Sequence, residues 1–434
     1  MMSAQADLSS DAEQGNTGLP KGWEWKRLGD VSRTTSGGTP SRKVAEYFEG
    51  DIPWVKSGEL PDGNVAEIAE YITEEAVKNS SAKLFPAGTL LIALYGATVG
   101  KLGVLTQDAT TNQAVCAIFP HDDLDPMYLF WYLRYARSEL IGQAVGGAQP
   151  NISQGILRDL QVPVAPYEQQ GRIVAEIEKQ FSRLDEAVAN LKRVKANLKR
   201  YKAAVLKAAV EGKLTVAAVD GGSFDEGQWR SVGSVLLSID QGWSPRCEKN
   251  PVAAVGDWGV IKTTAVQEFR FAQIENKELP SALEPRPNLE IKAGDLLITR
   301  AGPRKRVGVS CLVRSTQPGL MICDKVYRLR CDTSKIRPGY LELVLNAPQV
   351  LGKLNELKTG ISDSGVNLTQ KRFRGLAIPV PSLSTQALIE AEVERIVSTC
   401  EAIDGMCEAG LARSDRLRKA ILTSLFQGGQ NGKV

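Results

Sequence analysis

The most regular hydrophobic pattern in the chain lies at 167–212. Ile177, Leu184, Leu191, Leu198 and Val205 recur there every seven residues. Ile173, Ala187, Val194, Tyr201 and Ala208 form a companion column, with Gln180 as its polar exception, and no proline interrupts the stretch. Two apolar positions per heptad over more than four heptads predict a long α-helix with a narrow seam. Such a seam calls for one partner helix rather than a broad core. At 1.5 Å per residue the helix is about 65–70 Å long.

A second helical pattern at 385–428 supplies that partner. Val393, Ile396, Ile403, Leu417 and Ile421 mark its seam together with Ile389, Cys400 and Cys407, while Gly410 and Ser414 weaken it midway. The chain between the two helices is long enough to turn back, so the pair is expected to be an antiparallel coiled coil with a globular domain at each end of the rod.

Outside the helices the pattern changes to short apolar runs broken by turn residues, such as Gly37-Gly38, Thr39-Pro40 and Pro61-Asp62-Gly63. Strands are predicted within 85–93, 103–105, 114–119 and 160–164. A helix is predicted over 125–142, with Pro126 in its first turn. After a short linker the series restarts. WKRLGDV at 25–31 returns as WRSVGSV at 229–235, AGTLLI at 87–92 as AGDLLI at 293–298, and DPMYL at 125–129 as RPGYL at 337–341. From Asn151 to Gly212 a second copy aligns without gaps at a constant offset, with seventeen identities in sixty-two positions. The chain is a tandem duplication of a globular domain plus a long helix.

The resulting organisation is a polar N-terminal tail (1–18), a first domain (19–165), a first long helix (166–213), a linker (214–226), a second domain (227–381), a second long helix (382–428) and a short tail (429–434). The N-terminal stretch has no basic segment leading into an apolar one, so no signal peptide is expected. The longest apolar run, 90–94, is too short to span a membrane. A cytoplasmic location follows by default. Seven scattered cysteines without CxxC spacing read as reduced thiols rather than a zinc site.

Composition excludes several chemistries. His121, in the turn HDDLD, is the only histidine, which removes most histidine-based triads and HExxH zinc sites. GATVGK at 96–101 has three residues between its glycines where a phosphate loop has four, and Leu102 stands where a magnesium-binding hydroxyl is needed. Glu275-Asn276-Lys277 has the Glu-x-Lys spacing of some nucleases but no upstream acidic partner. No catalytic, cofactor-binding or metal-binding residue is assigned, and the chain reads as a non-enzyme.

The net charge of +3 does not announce nucleic acid, so any such signal must be local. RAGPRKRVG at 300–308 concentrates arginines in a loop between strands, where they can reach phosphates or guanine edges. The candidate DNA contacts in the first domain are Ser36, Gly37, Gly38, Thr39, Lys56, Ser57, Tyr95, Thr98, Lys101, Asn112, Gln113, Gln149 and Asn151. In the second they are Lys262, Thr263, Arg300, Arg304, Lys305, Arg306, Lys325 and Ser364. An ordinary turn role stays open for each. The distal half of the first helix carries Lys192, Arg193, Lys195, Lys199, Arg200, Lys202, Lys207 and Lys213. Two roles are open to that face: lying along a DNA backbone, or pairing with the acidic residues of the second helix, which holds Glu390, Glu392, Glu394, Glu401, Asp404 and Glu408.

GWEWKRLGDV, SGGTPS, IPWVKSGEL, AGTLLIALYGATVGKLGVL, TNQAV at 111–115 and NISQGILRDLQVPVAPYEQQGRIVAEIE at 151–178 resemble the specificity subunit of type I restriction-modification systems. The resemblance covers about 19–428. In the second half QGWSP (241–245) replaces the GGTP loop and CDKV (323–326) replaces TNQAV, as expected if each half reads a different sequence.

The resemblance implies two mixed α/β (α+β) target-recognition domains, each reading one half of a bipartite, asymmetric double-stranded DNA site. It implies two long helices that form an antiparallel coiled coil and set the spacer between half-sites. It also implies two docked modification subunits that methylate adenine N6 from S-adenosylmethionine, and restriction subunits that use ATP and Mg2+. None of these cofactors is expected to bind this chain.

Overall fold

The structure, a computed structural model, describes residues 19–144, 150–214, 224, 226–252, 256–360 and 362–427. The described residues form two compact units, one running up to Asn190 and resuming at Ala409, the other running from Leu191 to Glu408. Each unit therefore holds one globular domain and parts of both long helices.

In the first unit a five-stranded sheet runs in the order Ser32–Ser36, Val115–Pro120, Leu90–Ala93, Leu102–Leu105, Gly63–Val65. A second, four-stranded sheet holds Tyr71–Ile72, Ile52–Val55, Ala109–Thr111 and Leu84–Phe85. The predicted helix is Pro126–Gly142, and the Asp125 carboxylate caps it by accepting from the Met127 and Tyr128 N–H groups at 2.7 and 2.9 Å. Glu24–Arg27 pairs antiparallel with Gln161–Val164, so the beginning and end of the domain close on each other where the first long helix starts.

The second unit repeats this plan. Leu236–Gln241, Val326–Cys331, Leu296–Thr299 and Ser310–Leu312 form the matching sheet, and Trp229–Ser231 pairs with Ala377–Pro379 at the domain closure. Helix Pro338–Asn346 takes the place of Pro126–Gly142. The two domains are mixed α/β folds built on one template.

The junction between domain and helix is the most exactly repeated part. Gln170 is fully buried; its Oε1 accepts from Asp125 N at 2.8 Å, and its Nε2 donates to the Asp123 and Ala165 carbonyls at 2.9 and 2.8 Å. Gln386, also fully buried, accepts from Arg337 N at 2.8 Å and donates to the Lys335 and Pro381 carbonyls at 3.0 and 2.8 Å. The Tyr128 hydroxyl donates to Pro163 O, and that of Tyr340 to Pro379 O. Each glutamine fastens the root of a long helix to two segments of its domain through backbone groups that burial would otherwise leave unpaired.

The long helices span Tyr167–Val210 and Leu383–Gln427, and the second runs unbroken through Gly405 and Gly410. They pack antiparallel. In the first unit Arg418 pairs with Asp185; in the second, Lys195 pairs with Asp404 and Glu408, and Lys202 with Glu401. Both helices also enter domain cores. Ile173, Ile177, Phe181, Leu422 and Phe426 belong to the first domain's core. The Phe426 ring meets Tyr128, Tyr132 and Tyr135 at centroid distances of 5.4, 5.3 and 5.7 Å. Val205, Leu206, Ala209, Val210, Ile389 and Val393 do the same in the second domain.

The seam differs in part from the expected one. Ile177, Leu184, Leu191, Leu198 and Val205 face inward, but Val194 and Tyr201 are exposed. The inward companion column is one residue later, at Val188, Lys195, Lys202 and Ala209. On the second helix Val393 is buried and Ile396 and Ile421 are half-buried, whereas Ile403 and Leu417 are 36% and 40% exposed. Ile389, Cys400 and Cys407 are buried as expected of seam positions, and Ser414, where the pattern weakens, is buried as well. The packed column runs 393, 400, 407, 414, and from 400 onward it passes through small residues. Their lack of bulk leaves room for the lysine stems of the partner helix, whose ammonium heads reach the flanking carboxylates.

Candidate nucleic-acid interface

In the first domain the loop after Ser32–Ser36 folds against the loop before Val115–Pro120. Gly37 N–H donates to Val115 O at 3.1 Å and Gly38 N–H to Thr111 O at 2.9 Å. A Cβ on Gly37 would lie 2.1 Å from Thr111 Oγ1, so no larger residue fits. Gly37 and Gly38 are buried; they set the loop's path rather than present groups to a ligand. Trp54 Nε1 donates to Gly38 O at 3.0 Å, and Asn112 N–H donates to Val55 O at 3.0 Å, tying in the neighbouring strand. What the loop pair exposes is Gln113, whose Oε1 accepts from the Thr39 hydroxyl. Ser36 Oγ accepts from Gln154 Nε2 at 2.7 Å.

Lys56 and Ser57 sit half-buried at the end of strand Ile52–Val55. The Lys56 ammonium is 2.6 Å from Glu70, and its hydrogen bond, against a smaller effect of burial, holds that carboxyl below its ordinary range. Tyr95 bridges Asn151, and Thr98 and Lys101 lie in the turn between strands Leu90–Ala93 and Leu102–Leu105. This is the GATVGK stretch, and its Gly96 and Gly100 have φ of 85° and 76°, as a tight turn requires. Gln149 lies outside the described residues.

The second domain builds the corresponding place from other residues. Trp243 N–H donates to Ile322 O at 3.0 Å, and a Cβ on Gly242 would fall 2.1 Å from that same oxygen. The Ser244 hydroxyl donates to Asp324 Oδ1, and Asp324 N–H donates back to Ser244 Oγ at 3.1 Å. Arg300 Nε donates to Asp324 O at 2.6 Å while its guanidinium lies 5.6 Å from the Tyr327 ring centre. Ser244, Lys262, Thr263, Lys277, Asp324 and Lys325 line a cleft of about 320 Å³, with Cys247 and Cys323 in its wall. Burial pushes the Cys323 thiol up to about 11, so it stays protonated and inert at neutral pH.

The arginine-rich loop is more structural than its composition implies. Arg306 donates to the Thr263 and Val266 carbonyls at 2.7 and 3.0 Å, and Arg304 is 2.7 Å from Asp363. Lys305 and Ser364 are exposed, Ser364 within 2.6 Å of Ser362. The geometry thus brings Lys262, Thr263 and Lys325 together and sets Arg304, Lys305 and Ser364 apart on a neighbouring loop. Sequence reasoning missed Ser244, Lys277 and Asp324. Aligning Pro40 with Pro245 and Val115 with Val326 places Ser244 on Thr39 and Asp324 on Gln113, a signal that the changed letters concealed.

Among the described residues no three His, Cys, Asp or Glu side chains gather as a metal site, and no helix is long and apolar enough to cross a membrane. Of the basic face on the first helix, Lys195 and Lys202 are engaged by the second helix, while Lys192 and Lys199 remain exposed.

Residues 20–200 match the family model described as type I restriction modification DNA specificity domain. The chain is 36% identical over 194 residues to the EcoEI specificity subunit of Escherichia coli, covering 45% of this chain and 33% of that subunit. It is 24% identical over 425 residues to the StySPI specificity subunit of Salmonella potsdam, covering 94% and 89%. The stretches aligned with the relatives of higher identity span 33–42% of those proteins. In fold, it superposes with a TM-score of 0.71 on a chain from a type I R-M system, at 21% identity, covering 95% of this chain and 99% of the other. The duplicated α/β domains and the antiparallel helices agree with these alignments: over residues 20–200 the chain is similar to the type I restriction modification DNA specificity domain, and its fold is that of the superposed type I R-M chain.

Proposed function

We propose that each globular domain reads one half of a bipartite, asymmetric double-stranded DNA site, and that the paired helices fix the distance between the halves. One observation carries this reading. Both domains present a corresponding loop pair with a matching backbone hydrogen bond across it, yet they carry different side chains on it. Duplicated scaffolds with different reading groups suit two half-sites of unlike sequence. Linking two weak readers in one chain raises the affinity of the whole through effective concentration.

In this reading the chain is a non-catalytic subunit. Two modification subunits dock on the outer face of the helices, where Val194, Tyr201 and Met406 are 40%, 53% and 72% exposed. Those subunits bind S-adenosylmethionine and methylate adenine N6, and restriction subunits bring ATP and Mg2+. The complex works in the cytoplasm of a bacterium or archaeon.

Footprinting of the complex with its modification subunit tests the reading. Two protected patches on one duplex, separated by a constant spacer, are the expected result. Uniform protection independent of sequence contradicts it.

A further inference from the structure

The two loop pairs share backbone hydrogen bonds and differ in the side chains they carry. Gly38 N–H to Thr111 O in one domain corresponds to Trp243 N–H to Ile322 O in the other, at 2.9 and 3.0 Å. The strand that follows keeps its register as well: Cys116 faces Ser36, and Tyr327 faces Gln241. On this common frame a hydroxyl from the first loop anchors one polar side chain of the second: Thr39 holds Gln113, and Ser244 holds Asp324. Of the neighbouring positions, Thr111, Ala114, Ile322, Cys323 and Val326 are buried, while Asn112 is half-buried and Lys325 exposed.

We infer that Gln113 and Asp324 are equivalent specificity-determining residues, each selecting a base in its own half-site. This rests on the DNA-reading function proposed above. The carboxylate of Asp324 accepts hydrogen bonds only; Ser244 holds it through Oδ1, and the residue lines the lysine-bearing cleft. It selects a base that offers an exocyclic amino group, cytosine N4 or adenine N6. Lys262, Lys277 and Lys325 around it draw in the phosphate backbone that the carboxylate alone would repel. Gln113 carries an amide that both donates and accepts, the combination that matches the N6 and N7 edge of adenine. The hydroxyl anchors fix each side chain before DNA arrives, so less rotamer freedom is lost on binding.

The experiment is methyladenine mapping across the genome of cells co-expressing the modification subunit with wild-type chain, Asp324→Asn or Gln113→Glu. Each substitution keeps the side chain's shape and changes its donor and acceptor pattern together with its charge. The expected result is a change of base preference at one position in one half-site for Asp324→Asn, and in the other half-site for Gln113→Glu. Methylation at wild-type sites should fall about tenfold in each case. Ser244→Ala, which removes only the anchor, should blur the preference at the Asp324 position and serves if Asp324→Asn does not assemble. Wild-type motifs retained at full methylation in all three variants would overturn the inference while leaving the two-domain reading intact. Absence of any motif with the wild-type complex would overturn both.

Discussion

The two halves of this chain agree most where a domain joins its helix and least where it faces outward. At the junction, Gln170 and Gln386 repeat the same three hydrogen bonds to backbone groups. At the loop tips, Thr39 and Gln113 give way to Ser244 and Asp324, although the backbone hydrogen bond across the loops is kept. The difference teaches that the fold constrains backbone partners and burial, not the identity of the residue at a tip. A surface that varies on a fixed frame suits the reading role proposed above.

The largest expected effect that could break this comparison is at the junction. Gln170→Leu leaves Asp125 N, Asp123 O and Ala165 O without their buried partner, and Gln386→Leu does the same in the second half. With each unpaired buried group costing about 1–3 kcal/mol, either variant should lose about 3 kcal/mol or more of stability. Denaturant unfolding of the two variants should show similar losses. A silent variant in one half would mean that the two junctions, alike in geometry, are not alike in energy.

A smaller effect sharpens the comparison inside the cores. Phe130 in the first domain corresponds to Glu342 in the second, and both are almost fully buried. Burial raises the Glu342 carboxyl above its ordinary range, against the pull of Leu312 N–H at 2.6 Å and of Arg314 at 3.0 Å. The folded chain then holds this proton more tightly than the unfolded chain does. The associated stability is present below the ordinary carboxylate range and is lost as pH rises through the elevated value. Glu342→Gln keeps an acceptor for Leu312 N–H and removes the titration. It should raise the melting temperature slightly near neutral pH and leave it unchanged at about pH 4, where both side chains are neutral. A fall at neutral pH would mean that the Arg314 pair outweighs desolvation.

Much of this architecture was legible in the sequence, because seven-residue periodicity and the gapless repeat are properties of the letters. The helix Pro126–Gly142 was visible from its Asp-Pro start, and strand Leu90–Ala93 from its unbroken apolar run. The second helix's seam was legible only in part. Ile389, Val393, Cys400 and Cys407 lie on it as the pattern indicates, but hydrophobicity also favoured the exposed Ile403 and Leu417 and passed over the buried Ser414, whose small polar side chain carries no apolar signal. The burial of Phe426 among three tyrosines is likewise a long-range contact that no local signal announces. At the candidate interface composition overstated the arginines. Arg300, Arg304 and Arg306 are tied to Asp324, Asp363 and the Thr263 carbonyl, respectively. The equivalence of Asp324 with Gln113 was hidden because backbone hydrogen bonds, not side chains, preserve it.

Mapping methyladenine in cells that co-express the wild-type chain with the modification subunit proposed above tests the central claim most directly. The account predicts a single motif of two unlike blocks separated by a spacer of constant length. A palindromic motif, a single contiguous block or a variable spacer would contradict it.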